Sequence, residues 1–153
     1  MGKSNCNCNC DCKCNEKKYM EMDRNYPALK YFKLDEFDCP TDKGSGENMC
    51  PIFVRKLDKA RELAGIPFRI NSGYRTPAHN KEVGGVKNSS HMNIPCNASD
   101  IHIKDSRSRF LILVALKIQG FTRFGIGKNF IHVDSDDKNN GGDKSPNVIW
   151  QYY

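Results

Sequence analysis

Two periodicities alternate along this chain in short pieces, and that alternation confines it to a small α+β domain. Ile52, Val54, Leu57, Ala60, Leu63 and Ala64 approximate helical spacing; Pro51 suits a first turn, and Gly65 with Pro67 closes the end. A second helix is capped by Asp105 or Ser106 and runs through Ile118, with Gly120 as its stop. Residues 68–71, 100–103, 130–134 and 148–152 read as short strands. Residues 31–37 form a short amphipathic piece, 41–48 a Gly-rich loop and 135–147 a loose polar loop. The expected architecture is one domain with a short antiparallel sheet and two main helices. Residues 72–99 stand apart, with no regular period and many Gly, Ser, Asn and Pro. A loop that long inside a compact domain is more often functional than idle.

The 153 residues suffice for one domain with a real core and are too few for two. That domain is expected over 26–153. Residues 1–25, rich in Asn, Lys, Cys and Asp, have almost nothing to bury and read as a flexible extension. Five of the eight cysteines (Cys6, Cys8, Cys10, Cys12 and Cys14) alternate there. Neighbours at i, i+2 in an extended chain point to opposite sides, which disfavours a disulfide framework, although thiolates suit a soft metal. Cys39 and Cys50 flank the Gly-rich loop and either clip it or stay as thiols.

The net charge of +6 divides into −1 over residues 1–50 and +7 over 51–153. The basic part would be drawn to a polyanion such as an anionic wall polymer. Its basic residues are dispersed and no groove-reading motif stands among them, so nucleic acid is not expected as a partner. The longest apolar run, residues 110–116, is far short of the roughly 20 residues that span a bilayer. The first residues lack an apolar stretch, so no signal peptide is expected.

Of four histidines, His91 lies in the long loop after Asn88, Ser89 and Ser90, while His132 and Asp134 share one face of a strand and Asp100 begins another. Two imidazoles and one carboxylate make a usual catalytic zinc set, with the fourth position left for water.

Around these residues five short words occur in order: Ser72-Gly73-Tyr74-Arg75, His79-Asn80, Gly84-Gly85, Ser89-Ser90-His91 through Ala98-Ser99-Asp100, and Phe130-Ile131-His132-Val133-Asp134. The series resembles the zinc D-alanyl-D-alanine carboxypeptidase family, whose relatives include phage endolysin peptidases and the hedgehog domain. The resemblance covers roughly residues 31–150. It implies a hedgehog- and DD-peptidase-like fold with Zn2+ held by His91, Asp100 and His132. It makes Arg75 the cation that meets the substrate carboxylate or a developing oxyanion. It also places Tyr74 and Ser89 beside the substrate, with Tyr74 and Asn80 either lining the cleft or holding the loop. Gly84 and Gly85 supply unusual backbone conformations, Trp150 belongs to the core, and His79 hydrogen-bonds within its turn.

Two departures from the family pattern bear on the chemistry. Eight residues separate His91 from Asp100 where the family has six, which implies an insertion near Ile94 and Pro95 and puts Cys96 where the family has Gly. His102, on the same strand face as Asp100, or Cys96 is then an alternative ligand. Relatives often carry a carboxylate three residues before the last His, where this chain has Asn129. Asp134 is the nearest replacement, either as general base for the water or as a group orienting an imidazole.

The function these residues imply is a zinc-dependent carboxypeptidase or endopeptidase hydrolysing the peptide stems of bacterial peptidoglycan. A phage-type lysin, monomeric, synthesised in the cytoplasm and acting at the cell wall, fits the expected lack of a signal peptide. The alternative is a catalytically inactive, metal-stabilised module that binds wall or protein. A third, weaker possibility is metal storage by the cysteine tract.

Overall fold

A computed structural model describes residues 28–152. The 1–25 extension and its cysteine tract lie outside the described residues. Helix α1 (Pro51–Ala64) begins with proline at its first position and ends on Gly65 at φ 65, a left-handed turn that a side chain resists. It buries Phe53, Val54, Leu57 and Ala60. Helix α3 (Ser106–Ile118) is capped by Asp105, whose carboxylate accepts from Ser108 N at 2.7 Å. A third helix, α2 (Pro77–Glu82), lies inside the segment that sequence alone reads as loop. Its six residues are too few to show a period.

Five strands form one sheet in the order β1-β2-β4-β3-β5, with β1 at Ile70–Ser72, β2 at Ala98–His102, β3 at Arg123–Ile126, β4 at Phe130–Asp134 and β5 at Val148–Gln151. The β1–β2, β2–β4 and β3–β4 pairs are antiparallel, while β3–β5 is parallel. The sheet is therefore mixed rather than purely antiparallel. The cause is the 135–147 segment, which leaves the end of β4 and re-enters beside Arg123 at the same end of the sheet. That segment is pinned rather than loose. Buried Asp137 accepts from Asn139 N at 2.9 Å and Asn140 N at 3.1 Å, and from Thr122 Oγ1 at 3.1 Å.

Strand alternation sends Ile101, Ile131, Val133 and Phe124 to one face, where they join Leu57, Ile112 and Leu116 in the core beneath α1 and α3. Fully burying one such aliphatic side chain is worth about 1.5–3 kcal/mol. The amphipathic piece 31–37 supplies Phe32 and Phe37, whose rings meet edge-on at 5.3 Å. Asp58 on α1 ties its start down by accepting from the backbone N–H groups of Lys30, Tyr31 and Phe32 at 3.0, 2.9 and 3.2 Å. No disulfide joins Cys39 to Cys50, so the clip across the Gly-rich loop is not made by a bridge. That loop is instead held by Asp38, which accepts from Gly44 N at 2.9 Å and Gly46 N at 2.7 Å.

Candidate metal centre

The other face of the sheet is polar. One cross-strand row runs through all five strands: Ser72 pairs with Asp100, Asp100 with His132, His132 with Gly125, and Gly125 with Trp150. Asp100 and His132 thus stand side by side because their register is fixed by the apolar residues that alternate with them.

His91 comes to them from the loop. Ser89 caps a single 3-10 turn, Ser90–Met92, by accepting from His91 N. The turn is stitched to the stretch that precedes α2 by Arg75 N, which donates to His91 O at 2.9 Å. His91 Nδ1 lies 2.6 Å from Gly73 O. Gly73 has no room for a side chain, since a Cβ there would sit 2.6 Å from Phe37 Cβ and Phe37 O. The glycine lets the backbone approach Phe37 closely and so presents its carbonyl to the imidazole.

These contacts fix what the ring nitrogens can do. A carbonyl only accepts, so His91 Nδ1 carries the hydrogen and Nε2 keeps its lone pair. His132 Nε2 lies 3.0 Å from Asp134 Oδ2, so it donates there, and in the neutral ring Nδ1 keeps the lone pair. The two bare nitrogens face each other at 3.1 Å, and Asp100 Oδ1 lies 2.8 Å from His132 Nδ1 and 3.3 Å from His91 Nε2. All three atoms lie within 4.8 Å of one another. Three buried lone pairs directed at one point repel unless a cation stands between them, and two N donors with one O donor suit zinc. The donor set fits the metal that the sequence implies.

The electrostatics agree. Burial lowers the pKa of His91 and keeps it neutral. Burial also opposes charge on His132, but its hydrogen bonds to Asp100 and Asp134 outweigh that and raise its pKa. A proton is therefore the competing cation at this point. Burial would raise both carboxyls, yet hydrogen bonds from His132 and His91 hold Asp100 well below the usual range. The His132 and Arg123 contacts do the same for Asp134.

Arg75 completes the cluster. Its Nη2 donates to Asp100 Oδ2 and its Nε to Ser72 Oγ at 2.7 Å, which leaves further N–H donors on the guanidinium. Arg75, Asp100 and Ser72 line a cavity of about 250 Å³. Asp134 lies on the far side of His132, fully buried. Its Oδ1 accepts from Arg123 Nε at 2.7 Å and from Asp136 N at 3.0 Å. Both oxygens are engaged, so of its two expected roles the geometry fits the one that orients an imidazole and not the base.

The remaining expectations divide. Tyr74 is 7% exposed and packs in the core, so it holds the loop rather than lining the cleft. Ser89 caps the His91 turn and also lines a second groove, of about 540 Å³, with Asn93, Ile94 and Asn97. The insertion near Ile94 bulges outward into that groove, with Ile94 itself 70% exposed, and leaves Asp100 in the cluster. Neither alternative ligand joins the cluster. His102 lines a separate pocket beside α3. Cys96 is buried with its thiol against Ser90 O and Ala98 O, and burial pushes its pKa up to about 12. Asn80 is buried and its Nδ2 donates to Val86 O at 3.0 Å, which holds the loop. Trp150 is half-buried with its ring 5.6 Å from that of His132. Arg123 escapes sequence reading, because its role follows from the Arg123–Asp134 register and not from any local pattern.

Compared with known proteins, residues 30–134 match a family model described as Peptidase M15, a span that contains His91, Asp100, His132 and Arg75. No curated protein matches the chain.

Proposed function

This chain belongs to the peptidase M15 family, and from the donor set gathered inside the matched span we propose that it is a zinc-dependent peptidase hydrolysing the peptide stems of bacterial peptidoglycan. The observation that carries the reading is the convergence of His91 Nε2, Asp100 Oδ1 and His132 Nδ1 within 4.8 Å of one another, all three buried. Zinc bound there supplies a polarising charge for the scissile carbonyl and lowers the pKa of a bound water towards neutrality.

The chain's own residues do the rest. Gly73 O and Asp134 fix the tautomers of His91 and His132, so that the correct nitrogens face inward. Arg75, anchored on Asp100 and Ser72, keeps donors for a substrate carboxylate or for the oxyanion that forms at the carbonyl. Ser89 holds the turn that carries His91 and offers a polar wall to the adjoining groove. The surplus of basic residues in 51–153 favours contact with an anionic wall. The same features suit a lysin that reaches the wall from the cytoplasm by release or by carriage in a virion.

Metal analysis of the purified protein should find about one zinc per domain, lost on His91→Ala or His132→Ala. Purified sacculi incubated with the zinc form should gain new amino and carboxyl ends, and a chelator should stop the release. Intact stems with zinc bound would overturn the peptidase reading. They would support the second reading, a metal-stabilised binding module, which Asn129 in the base position and the engaged state of Asp134 favour.

A further inference from the structure

Hydrolysis needs a group that takes a proton from the attacking water and returns one to the leaving amine. Asn129 cannot do it, and both oxygens of Asp134 are occupied. Asp136 is held by Ser90 Oγ at 3.0 Å and by Lys144 Nζ at 2.9 Å. In the cavity lined by Arg75 and Asp100, the further titratable side chain is His79.

We propose that His79 is the general base and acid of the reaction, with Glu82 as its positioning residue. The inference rests on the peptidase reading above. Thr76, next to Arg75, caps α2 and its Oγ1 accepts from His79 N at 3.2 Å. His79 and Arg75 line the same cavity. His79 Nδ1 lies 3.2 Å from Glu82 Oε2. A carboxylate only accepts, so Nδ1 carries the hydrogen, and the neutral imidazole has its lone pair on Nε2. Asp134 fixes His132 by the same means. Glu82 is largely solvent-exposed while the His79 side chain is only 16% exposed, so the pair has a wet end and a sheltered end. The placement of its imidazole on the cavity is what gives the pair a catalytic use.

The step balances without another reactant. Nε2 takes one proton of water as the water oxygen bonds to the scissile carbonyl carbon. Arg75 meets the oxyanion through its remaining donors. The C–N bond then breaks as the proton passes from Nε2 to the amide nitrogen, and His79 is neutral again.

The test uses the full-length, zinc-loaded protein and soluble stem peptides cut from sacculi. His79→Ala and His79→Gln should each lower kcat by about 100-fold or more with KM within about twofold. Zinc content and melting temperature should match the wild type. Added imidazole should restore part of the turnover of His79→Ala, which a merely structural histidine would not allow. Glu82→Ala should lower kcat, and Glu82→Gln, which still accepts from Nδ1, should recover most of it. His79 variants whose kcat stays within about threefold of wild type overturn the proposal, as does a loss carried by KM alone or by zinc. A wild type that binds zinc and leaves every stem intact overturns the peptidase reading, and this inference with it.

Discussion

His132 and Asp134 share one face of β4, and their side chains meet with 3.0 Å between Nε2 and Oδ2. Asp134 in turn takes a 2.7 Å hydrogen bond from Arg123 Nε across the β3–β4 pair. Asp134→Asn should therefore fail in two ways. Arg123 keeps its buried charge without a countercharge, and removing one partner of a buried pair costs about 3–5 kcal/mol. The amide can also turn its NH2 towards His132 and favour the wrong tautomer, which should weaken zinc binding about 10- to 100-fold. Denaturant titration measures the first effect and competition with a chelator the second. Undiminished zinc affinity would show that Asp134 does not position the ligand.

Acid should unfold the metal-free protein through its two buried carboxylates. Asp100 and Asp134 both have folded-state pKa values held below the ordinary carboxylate range by His132, with His91 and Arg123 adding to it. The unfolded chain then binds more protons than the folded one as pH falls through about 3.9. Their contribution is complete above that pH and is lost progressively below it. Urea midpoints of the metal-free protein should fall as pH is taken below about 4. The drop should be shallower in Asp134→Asn, compared at matched starting stability.

The ligand set is legible in the sequence through the family words that surround it, and strand register then explains why two of its members meet. In Ala98–His102 and Phe130–Asp134, Ile101, Ile131 and Val133 take the core face, and Asp100 and His132 pair on the other. Strand β3 gives no such signal. Arg123–Ile126 is four residues with a glycine third, and only its pairing on both sides reveals it. Tyr74 sits next to Arg75 in sequence, which suggests a shared cleft. Outside a helix neighbouring side chains point apart, so the backbone that turns Arg75 to the cavity sends Tyr74 into the core.

Gly73→Ala tests how the loop delivers His91. The added Cβ would come within 2.6 Å of Phe37 Cβ and Phe37 O, contacts that real atoms do not make. Gly73 must move away, and its carbonyl leaves His91 Nδ1. Overpacking of this kind costs about 1–3 kcal/mol. Zinc affinity should fall with it, because nothing then selects the tautomer that bares Nε2. A thermal melt and a zinc titration of the variant check both, and a full-affinity variant would show that the Gly73 contact is incidental.

Trp150 makes the centre observable by itself. It is the one tryptophan in the chain, so intrinsic emission excited at the indole band reports on its surroundings alone. Its ring lies 5.6 Å from that of His132, and the guanidinium of Arg123 lies 5.3 Å from it on the ring face. Both neighbours respond to a cation in the cluster: His132 gives up any proton on Nδ1 to bind it, and Arg123 is tied to His132 through Asp134. Zinc should therefore change the emission, with saturation at about one ion per chain. His91→Ala removes a donor without touching the indole's surroundings, and it should abolish or strongly weaken the response. Magnesium, which prefers oxygen ligands in an octahedral shell, should do little at equal concentration. If His91→Ala responds to zinc as the wild type does, the ion binds elsewhere. The three lone pairs would then have to be reconciled by a proton on His132, and the chemistry assigned to this face of the sheet would lose its basis.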